Sequence, residues 1–548
     1  MLEGDRLVVP EGHSKDLFKG ALILTIAALI VKILSAVYRV PFQNIVGDVG
    51  FYIYQQVYPF YGVALLLSTQ GFPVVISKLY AEQVTRRDKH VVGNLFVIAA
   101  IILVIIGLLG FSFLYWGADW LAAQMNDPQL ASLLRVISLV FLIFPIVSLL
   151  RGYFQGKGEM IPTAASQVGE QLFRVMTIFI AAIFLTKHGY DLYIVGSGAV
   201  FGSVAGGIVA VLILTLFWLR RKTAPTPIAS FNIKTTAQMT KAILFQGFAI
   251  CVSSLLLIFI QLADSLNLYS LLVSSSSNPD EAKVLKGIYD RGQPLIQLGT
   301  VVATSMSLAL VPIITSEKLK RSTESMHEKI RLALRIGLFV GVGATVGLWS
   351  IMQQTNILLF ENSDGTAVLS LLSLLILFSS MIITTTGVLQ GLGITLFPAI
   401  VILCGFVAKY KLNLLFVPSF GTMGAAIASC ISLSIIMIVL LIRLRLYLKV
   451  TILNRRFLMI IGIAAITMYI VLKLYLLGTG LILTSSHERI NAGIQALTAV
   501  ALGGFTYLMI VLRGNTFKNE EIAMLPFGSK LMLLLPKRKR RWKNDEEN

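Results

Sequence analysis

Charge is what this sequence has least of. Only 13% of its 548 residues are Asp, Glu, Lys or Arg, against 56% apolar residues and a mean hydropathy of +0.82. A water-soluble domain keeps about 25% of its residues charged, so a soluble chain of this length is excluded and the apolar residues need a bilayer. Acidic residues are scarcer than basic ones, 27 against 46, for a net charge of +19. In a membrane chain that excess is the Lys/Arg bias of cytoplasmic loops, and no nucleic-acid partner is expected. Cysteine is nearly absent. Cys251, Cys404 and Cys430 all fall in apolar stretches, which excludes a disulfide framework and a CxxC metal pair. The histidines (His13, His90, His188, His327, His487) are scattered over expected loops and tails with no HExxH, so no metal site is expected. There is no DxD pair and no loop long enough to hold a soluble catalytic domain. A membrane enzyme would lack its acid/base or metal cluster, so neither an enzyme activity nor a bound cofactor is expected.

What is present is a run of apolar stretches, each near the roughly 20 residues that cross a bilayer as a helix. They cover 18–40, 51–78, 91–116, 129–150, 161–186, 193–219, 240–270, 287–316, 330–352, 366–389, 394–415, 420–442, 457–477 and 490–512. The expected fold is an all-α integral membrane protein of about fourteen transmembrane helices. The seventh and eighth stretches are overlong and speckled with polar residues, which predicts kinks or extensions there. The first is longer than a signal-peptide core and is followed by no A-x-A site, so it is expected to be retained. Loops carrying Lys78, Arg86, Arg87 and Lys89, then Arg151 and Lys157, then Arg220, Arg221, Lys222 and Lys234, are basic. So are those carrying Lys318, Lys320 and Arg321, then Arg443, Arg445, Lys449, Arg455 and Arg456. The segments 117–127 and 353–364 contain no Lys or Arg. Both termini are therefore expected in the cytoplasm. The run Lys537-Arg538-Lys539-Arg540-Arg541 reads as part of a tail against anionic lipid headgroups.

The chain also repeats itself. Gly152-Tyr-Phe-Gln155-Gly156-Lys-Gly158, followed by Pro162, returns 235 positions later as Gly387-Val-Leu-Gln390-Gly391-Leu-Gly393, followed by Pro398 at an offset of 236. Gly71-Phe-Pro73-Val-Val-Ile-Ser77 is matched by Leu310-Val-Pro312-Ile-Ile-Thr-Ser316, 239 positions on. A unit of six spans repeats with the same orientation, so two six-helix lobes are expected around a central cavity, with two extra C-terminal helices. The expected divisions are a cytoplasmic N-terminus (1–19), an N-lobe (20–222), a cytoplasmic linker (223–239), a C-lobe (240–445), the final helix pair (446–512) and a basic cytoplasmic tail (513–548).

Ionisable residues inside spans are costly, about 2.5–3.5 kcal/mol each at a helix centre on insertion scales, and usually face a cavity. The candidates are Lys32, Arg39, Glu170, Arg174, Asp264, Asp290, Arg291 and Lys409. Lys32 and Arg39 are seven apart and share a helix face, which reads either as a strip for an anionic headgroup or, for Arg39, as a side chain snorkelling to the outer interface. Glu170 and Arg174 have the i, i+4 spacing of an ion pair, and Gln167 and Gln171 extend their polar face. Lys409 lies within one residue of the repeat equivalent of Arg174. Gln261, Asp264 and Asn267 form one stripe, in which Asp264 is either a proton or cation site or one half of a salt bridge. Gln293, Gln297, Thr300, Thr304 and Ser307 form another, suited to a hydrated wall. Lys32, Arg39, Arg174, Arg291 and Lys409 outnumber Glu170, Asp264 and Asp290, which favours an anionic ligand.

Gly71-Phe-Pro73-Val-Val-Ile-Ser77-Lys78 and Arg151-Gly-Tyr-Phe-Gln155-Gly156, continuing through Pro162-Thr-Ala-Ala-Ser166-Gln167 to Glu170-Gln171, resemble the polysaccharide exporters of the multidrug/oligosaccharidyl-lipid/polysaccharide superfamily. The resemblance covers nearly the whole chain and is nearest to the stage V sporulation protein B-like branch, which includes MurJ-type lipid II flippases. It implies a two-lobed, fourteen-span flippase in the bacterial cytoplasmic membrane, carrying an undecaprenyl-diphosphate-linked sugar by alternating access, with cell-wall synthesis proteins as partners. It also implies arginines lining the cavity, with Asp290-Arg291 resembling the family's Asp-Arg pair. The body of the second span carries no arginine, where some members have one, so lipid II and other polyprenyl-linked precursors stand as alternatives. A cation-coupled multidrug exporter and a non-transporting scaffold are the other readings. Coupling to H+, to Na+ or to the membrane potential stays open.

Overall fold

The computed structural model describes residues 11–85, 89–221, 233–275, 278–319, 323–449, 454–482, 488–514 and 516–517. It is built of helices, with no strand among the described residues. In chain order they are α1 (Glu11–Val37), α2 (Arg39–Leu66), α3 (Phe72–Thr85), α4 (Lys89–Trp116), α5 (Ala118–Gln124), α6 (Leu130–Gly156), α7 (Met160–Lys187), α8 (Leu192–Arg220), α9 (Ile233–Ser254), α10 (Leu256–Ser275), α11 (Pro279–Asp290) and α12 (Gly292–Gly299). There follow α13 (Val301–Leu319), α14 (Thr323–Ser350), α15 (Met352–Phe360), α16 (Thr366–Gly391), α17 (Leu396–Leu448), α18 (Arg455–Ile482) and α19 (Glu488–Arg513). Eleven helical segments among the described residues are long and apolar enough to cross a membrane. Two of them, the 62-residue Ile23–Val84 and the 53-residue Leu396–Leu448, each hold two of the stretches read from the sequence. The kinks expected in the seventh and eighth stretches are present. The former breaks at Leu255 between α9 and α10, and the latter is divided among α11, α12 and α13. The run Lys537–Arg541 and the loop cations Arg86, Arg87, Lys222, Lys320 and Arg321 lie outside the described residues.

Two compact units are formed. One comprises 1–301 with 393–428, and the other 302–392 with 429–548. In the first unit α2 is the central element, packed against α6, α7, α8, α10 and α11. Residues 51–62 are buried without a break, as expected of a helix enclosed on all sides. The outer helices show the opposite face. Ile101, Val104, Ile105 and Leu108 of α4 are exposed at the three- and four-residue spacing of one helical stripe, while Arg39, Arg151, Arg174, Arg291 and Lys409 are at most 1% exposed. Grease outside and charge inside is the arrangement a bilayer selects.

The glycine motif has a packing reason. A Cβ at Gly152 would stand 2.8 Å from Ile76, and one at Gly156 would stand 2.8 Å from the Tyr80 ring. Two small residues four apart thus let α6 lie against α3, the close approach that small-xxx-small patterns provide. Gly71 is tighter still, since its Cβ would fall 1.6 Å from the Cys251 sulfur on α9. The repeat is visible in the local structure as well. Lys157 N–H donates to Tyr153 O and Leu392 N–H donates to Val388 O. The glycines after them, Gly158 (φ +78°) and Gly393 (φ +82°), are both left-handed, so each copy ends its helix with the same glycine turn.

In the second unit α18 and α19 pack on each other and on α14. Phe339, Phe457, Ile461, Met468 and Tyr507 form their common core, and the Tyr507 hydroxyl donates to Phe339 O at 2.9 Å. This unit also holds a cleft of about 310 Å³ near Trp349, Gln353, Ser370 and Lys473, and no candidate site residue lines it.

Candidate functional site

Every ionisable or amide side chain singled out from the sequence as a site candidate (Lys32, Arg39, Glu170, Arg174, Gln261, Asp264, Asp290, Arg291, Gln297 and Lys409) falls in the first unit. Their surroundings sort them into two kinds.

Arg39 and Arg174 form a cationic cage. Arg39 opens α2 directly after Tyr38, ahead of the kink at Gly47, and it is 1% exposed, so it does not snorkel to an interface. Its guanidinium carbon sits 4.2 Å from the Tyr58 ring centroid and 6.0 Å from that of Tyr38. Arg174 on α7 sits 4.5 Å from the Tyr61 centroid and 5.3 Å from that of Tyr38, and its Nη2 donates to the Tyr38 hydroxyl at 2.9 Å. Tyr38 and Tyr54 share a 2.8 Å hydrogen bond. Ring faces steady a cation by about 0.5–2 kcal/mol each, but they leave its N–H groups unused. All three nitrogens of Arg39, Nε and Nη1 of Arg174 and the Tyr61 hydroxyl have no hydrogen-bond partner among the described residues. Buried polar atoms without partners are uncommon and call for an explanation. Here they converge around two positive charges.

The i, i+4 spacing predicts that Glu170 pairs with Arg174, and the structure corrects this. Glu170 Oε2 accepts from Arg151 Nη2 at 2.8 Å. Arg151 reaches it from α6, where Nε also donates to Ser166 Oγ and Nη1 to Ser68 O. A partner on a neighbouring helix outcompetes one on the same helix because it fills two more donors of the guanidinium.

Of the remaining charges, Asp264, Asp290, Arg291 and Lys409 are compensated. Asp264 is in a salt bridge with Lys409 at 2.8 Å, both side chains being at most 1% exposed. Asp290 accepts two 2.6 Å bonds from Lys286. Arg291 donates to both oxygens of Asp48, at 2.9 and 2.6 Å, so the neighbours Asp290 and Arg291 each bond elsewhere. Gln261 donates to Gln293 Oε1 at 2.7 Å, whereas Gln297 keeps a buried Oε1 without a donor. Lys32 is half-buried on α1, and the backbone keeps helical angles and i→i−4 hydrogen bonds through Tyr38 on its way to Arg39. The aromatic cage, Asp48, Lys286 and Arg151 go unread in a search for isolated intramembrane charges. The four-then-three spacing of Tyr54, Tyr58 and Tyr61 is the signal that finds the cage. Among the described residues no group of His, Cys, Asp and Glu is arranged to hold a metal ion.

A family model described as "Polysaccharide biosynthesis protein" matches residues 17–318, more than half of the chain. The chain belongs to that family. A second model, MatE, matches residues 287–415. The chain is 45% identical to the uncharacterized membrane protein YabM of Bacillus subtilis (strain 168), over 95% of this chain and 97% of that one. It is 25% identical to the lipid II flippase MurJ of the same organism, over 90% of this chain and 95% of that one. Among solved structures it resembles an inward-facing multidrug resistance MATE family transporter of the MOP superfamily (TM-score 0.62, 16% identity, 78% of this chain and 99% of that one). It also resembles the lipid II flippase MurJ in an inward closed conformation (TM-score 0.60, 15% identity, 90% and 97%). The protein is a multi-pass membrane transporter of the multidrug/oligosaccharidyl-lipid/polysaccharide superfamily, and not an enzyme.

Proposed function

We propose that this polysaccharide-family transporter flips an anionic, polyprenyl-diphosphate-linked sugar precursor, lipid II or another cell-envelope precursor, across the cytoplasmic membrane. The observation that carries this reading is the pair Arg39 and Arg174, two buried guanidiniums in no salt bridge among the described residues, with five nitrogens unpartnered. A diphosphate supplies acceptor oxygens in the planar, two-pronged geometry that arginine matches best. The tyrosine rings leave those nitrogens free while holding the guanidiniums in place. The kinship to a lipid II flippase supports the same substrate class and, with it, a role in cell-wall polymer synthesis alongside the enzymes that make and use the lipid.

The multidrug alternative is disfavoured by the carboxylates. A cationic drug needs an uncompensated acid within the spans, and Glu170, Asp264, Asp290 and Asp48 each hold a cationic partner at 2.6–2.8 Å. Both termini are assigned to the cytoplasm, with the basic tail against anionic lipids. An inside-negative potential would then help the anionic headgroup leave, by about 2.3 kcal/mol per charge per 100 mV for a full crossing. The test is native mass spectrometry of the purified protein and of its Arg39→Met/Arg174→Met variant. A co-purifying polyprenyl-diphosphate sugar that the double variant loses is the expected result. Retention of that lipid by the variant, or recovery of only neutral or cationic small molecules from the unaltered protein, overturns the reading.

A further inference from the structure

The surroundings of Lys409 are those of a cation site. Its Nζ lies 2.8 Å from Asp264 Oδ1, 2.7 Å from Asn413 Oδ1 and 2.7 Å from Ala425 O. A carboxylate, an amide oxygen and a main-chain carbonyl are the hard oxygen donors that bind group 1 and group 2 metal ions. The donors are themselves held in place. Asn413 Nδ2 donates to Asp264 Oδ1 at 2.9 Å and to Asn267 Oδ1 at 2.8 Å. Asn267 donates to Tyr410 O at 2.9 Å, and the Tyr289 hydroxyl donates to the other oxygen of Asp264 at 2.9 Å. Lys409 and Asn413 are fully buried, and Asp264 is 1% exposed. The break at Gly421 (φ +56°) turns α17 so that Ala425 comes within reach of a lysine sixteen residues before it.

We propose that the Lys409 ammonium is a built-in cation occupying an oxygen-lined alkali-ion site centred on Asp264, so that this chain carries permanently the charge that a dissociable Na+ or K+ would otherwise bring there. An ion gradient does work only through an ion that binds one conformation and leaves from another. A cation tethered by four methylenes does neither. The cation-or-salt-bridge alternatives for Asp264 thus become one arrangement, in which the salt bridge is the cation site with its ion covalently supplied. This inference does not depend on which lipid is carried, because it is read from ion binding alone.

The test uses the full chain purified in detergent, melted in NaCl, KCl or choline chloride at constant ionic strength. The unmodified protein is expected to melt at one temperature in all three salts. Lys409→Ala is expected to gain a saturable rise of ~3 °C or more in Na+ or K+ over choline, and Lys409→Ala/Asp264→Asn to lose that gain. Recovery of Lys409→Ala only when an alkali ion is present throughout purification supports the proposal equally. It is overturned if Lys409→Ala melts alike in all three salts, its carboxyl being neutralised by a proton instead. It is also overturned if Lys409→Ala cannot be recovered in any salt while the double variant can. An alkali-specific stabilisation of the unmodified protein overturns it without recourse to any variant.

Discussion

Arg151 and Arg174 are both fully buried arginines, one on α6 and one on α7, yet their replacement by methionine should have opposite consequences. Arg151 holds Glu170 at 2.8 Å and also bonds Ser166 and Ser68. Removing it leaves a carboxylate whose side chain is 9% exposed without its cation, a change that costs about 3–5 kcal/mol. Arg174 has no carboxylate. Its removal relieves about 2.5–3.5 kcal/mol of charge burial. Against that stand one charge-assisted bond to Tyr38, worth about 1.5–3 kcal/mol, and three ring contacts worth about 0.5–2 kcal/mol each. The relief of charge burial offsets part of that loss, and no carboxylate is left stranded. Arg151→Met should therefore melt well below the unaltered protein in detergent, with a large loss of monodisperse material. Arg174→Met should melt near it, yet fail to rescue a cell depleted of its lipid flippase. Equal destabilisation by the two variants would refute the assignment of Arg174 as an uncompensated cation. Full rescue by Arg174→Met would refute its role at the headgroup.

Four further outcomes are expected. Reporter fusions at residues 122 and 358 should report the outside and one after residue 530 the inside; a cytoplasmic signal at 358 would break the repeat as well as the topology. Gly152→Leu should abolish folded protein in the membrane, because a Cβ alone already meets Ile76 at 2.8 Å, and fluorescence-detected size exclusion reads this directly. Lys32→Ala should keep the melting temperature while lowering rescue, whereas Arg291→Ala, which strands Asp48, should lower both; unchanged rescue by both would remove these residues from the transport path. Deleting 455–513 should unfold the second unit rather than merely release the tail, since Phe457, Ile461, Met468 and Tyr507 share a core with Phe339, and limited proteolysis of α14 would report it.

The membrane class, the apolar stretches and the duplicated glycine motif are legible in the residues alone, because they rest on composition, length and local backbone demand. A helix too apolar for water must enter lipid wherever it packs. Gly158 and Gly393 end their helices through their own φ angles. The intramembrane charges are equally legible, since few residues could be less at home there. Their pairing is not. The i, i+4 reading of Glu170 and Arg174 considers one helix, while the choice between partners is made by energy across helices. Arg151, nineteen positions from Glu170, wins by adding bonds that no single-helix pattern contains. The same holds for Arg291 with Asp48, 243 positions apart, and for Lys409 with Asp264. Charge number was readable before folding. Which charges are neutralised, and therefore which two arginines keep N–H groups without partners, is decided by packing, because a buried ion takes whatever counter-charge the assembled helices bring within about 3 Å.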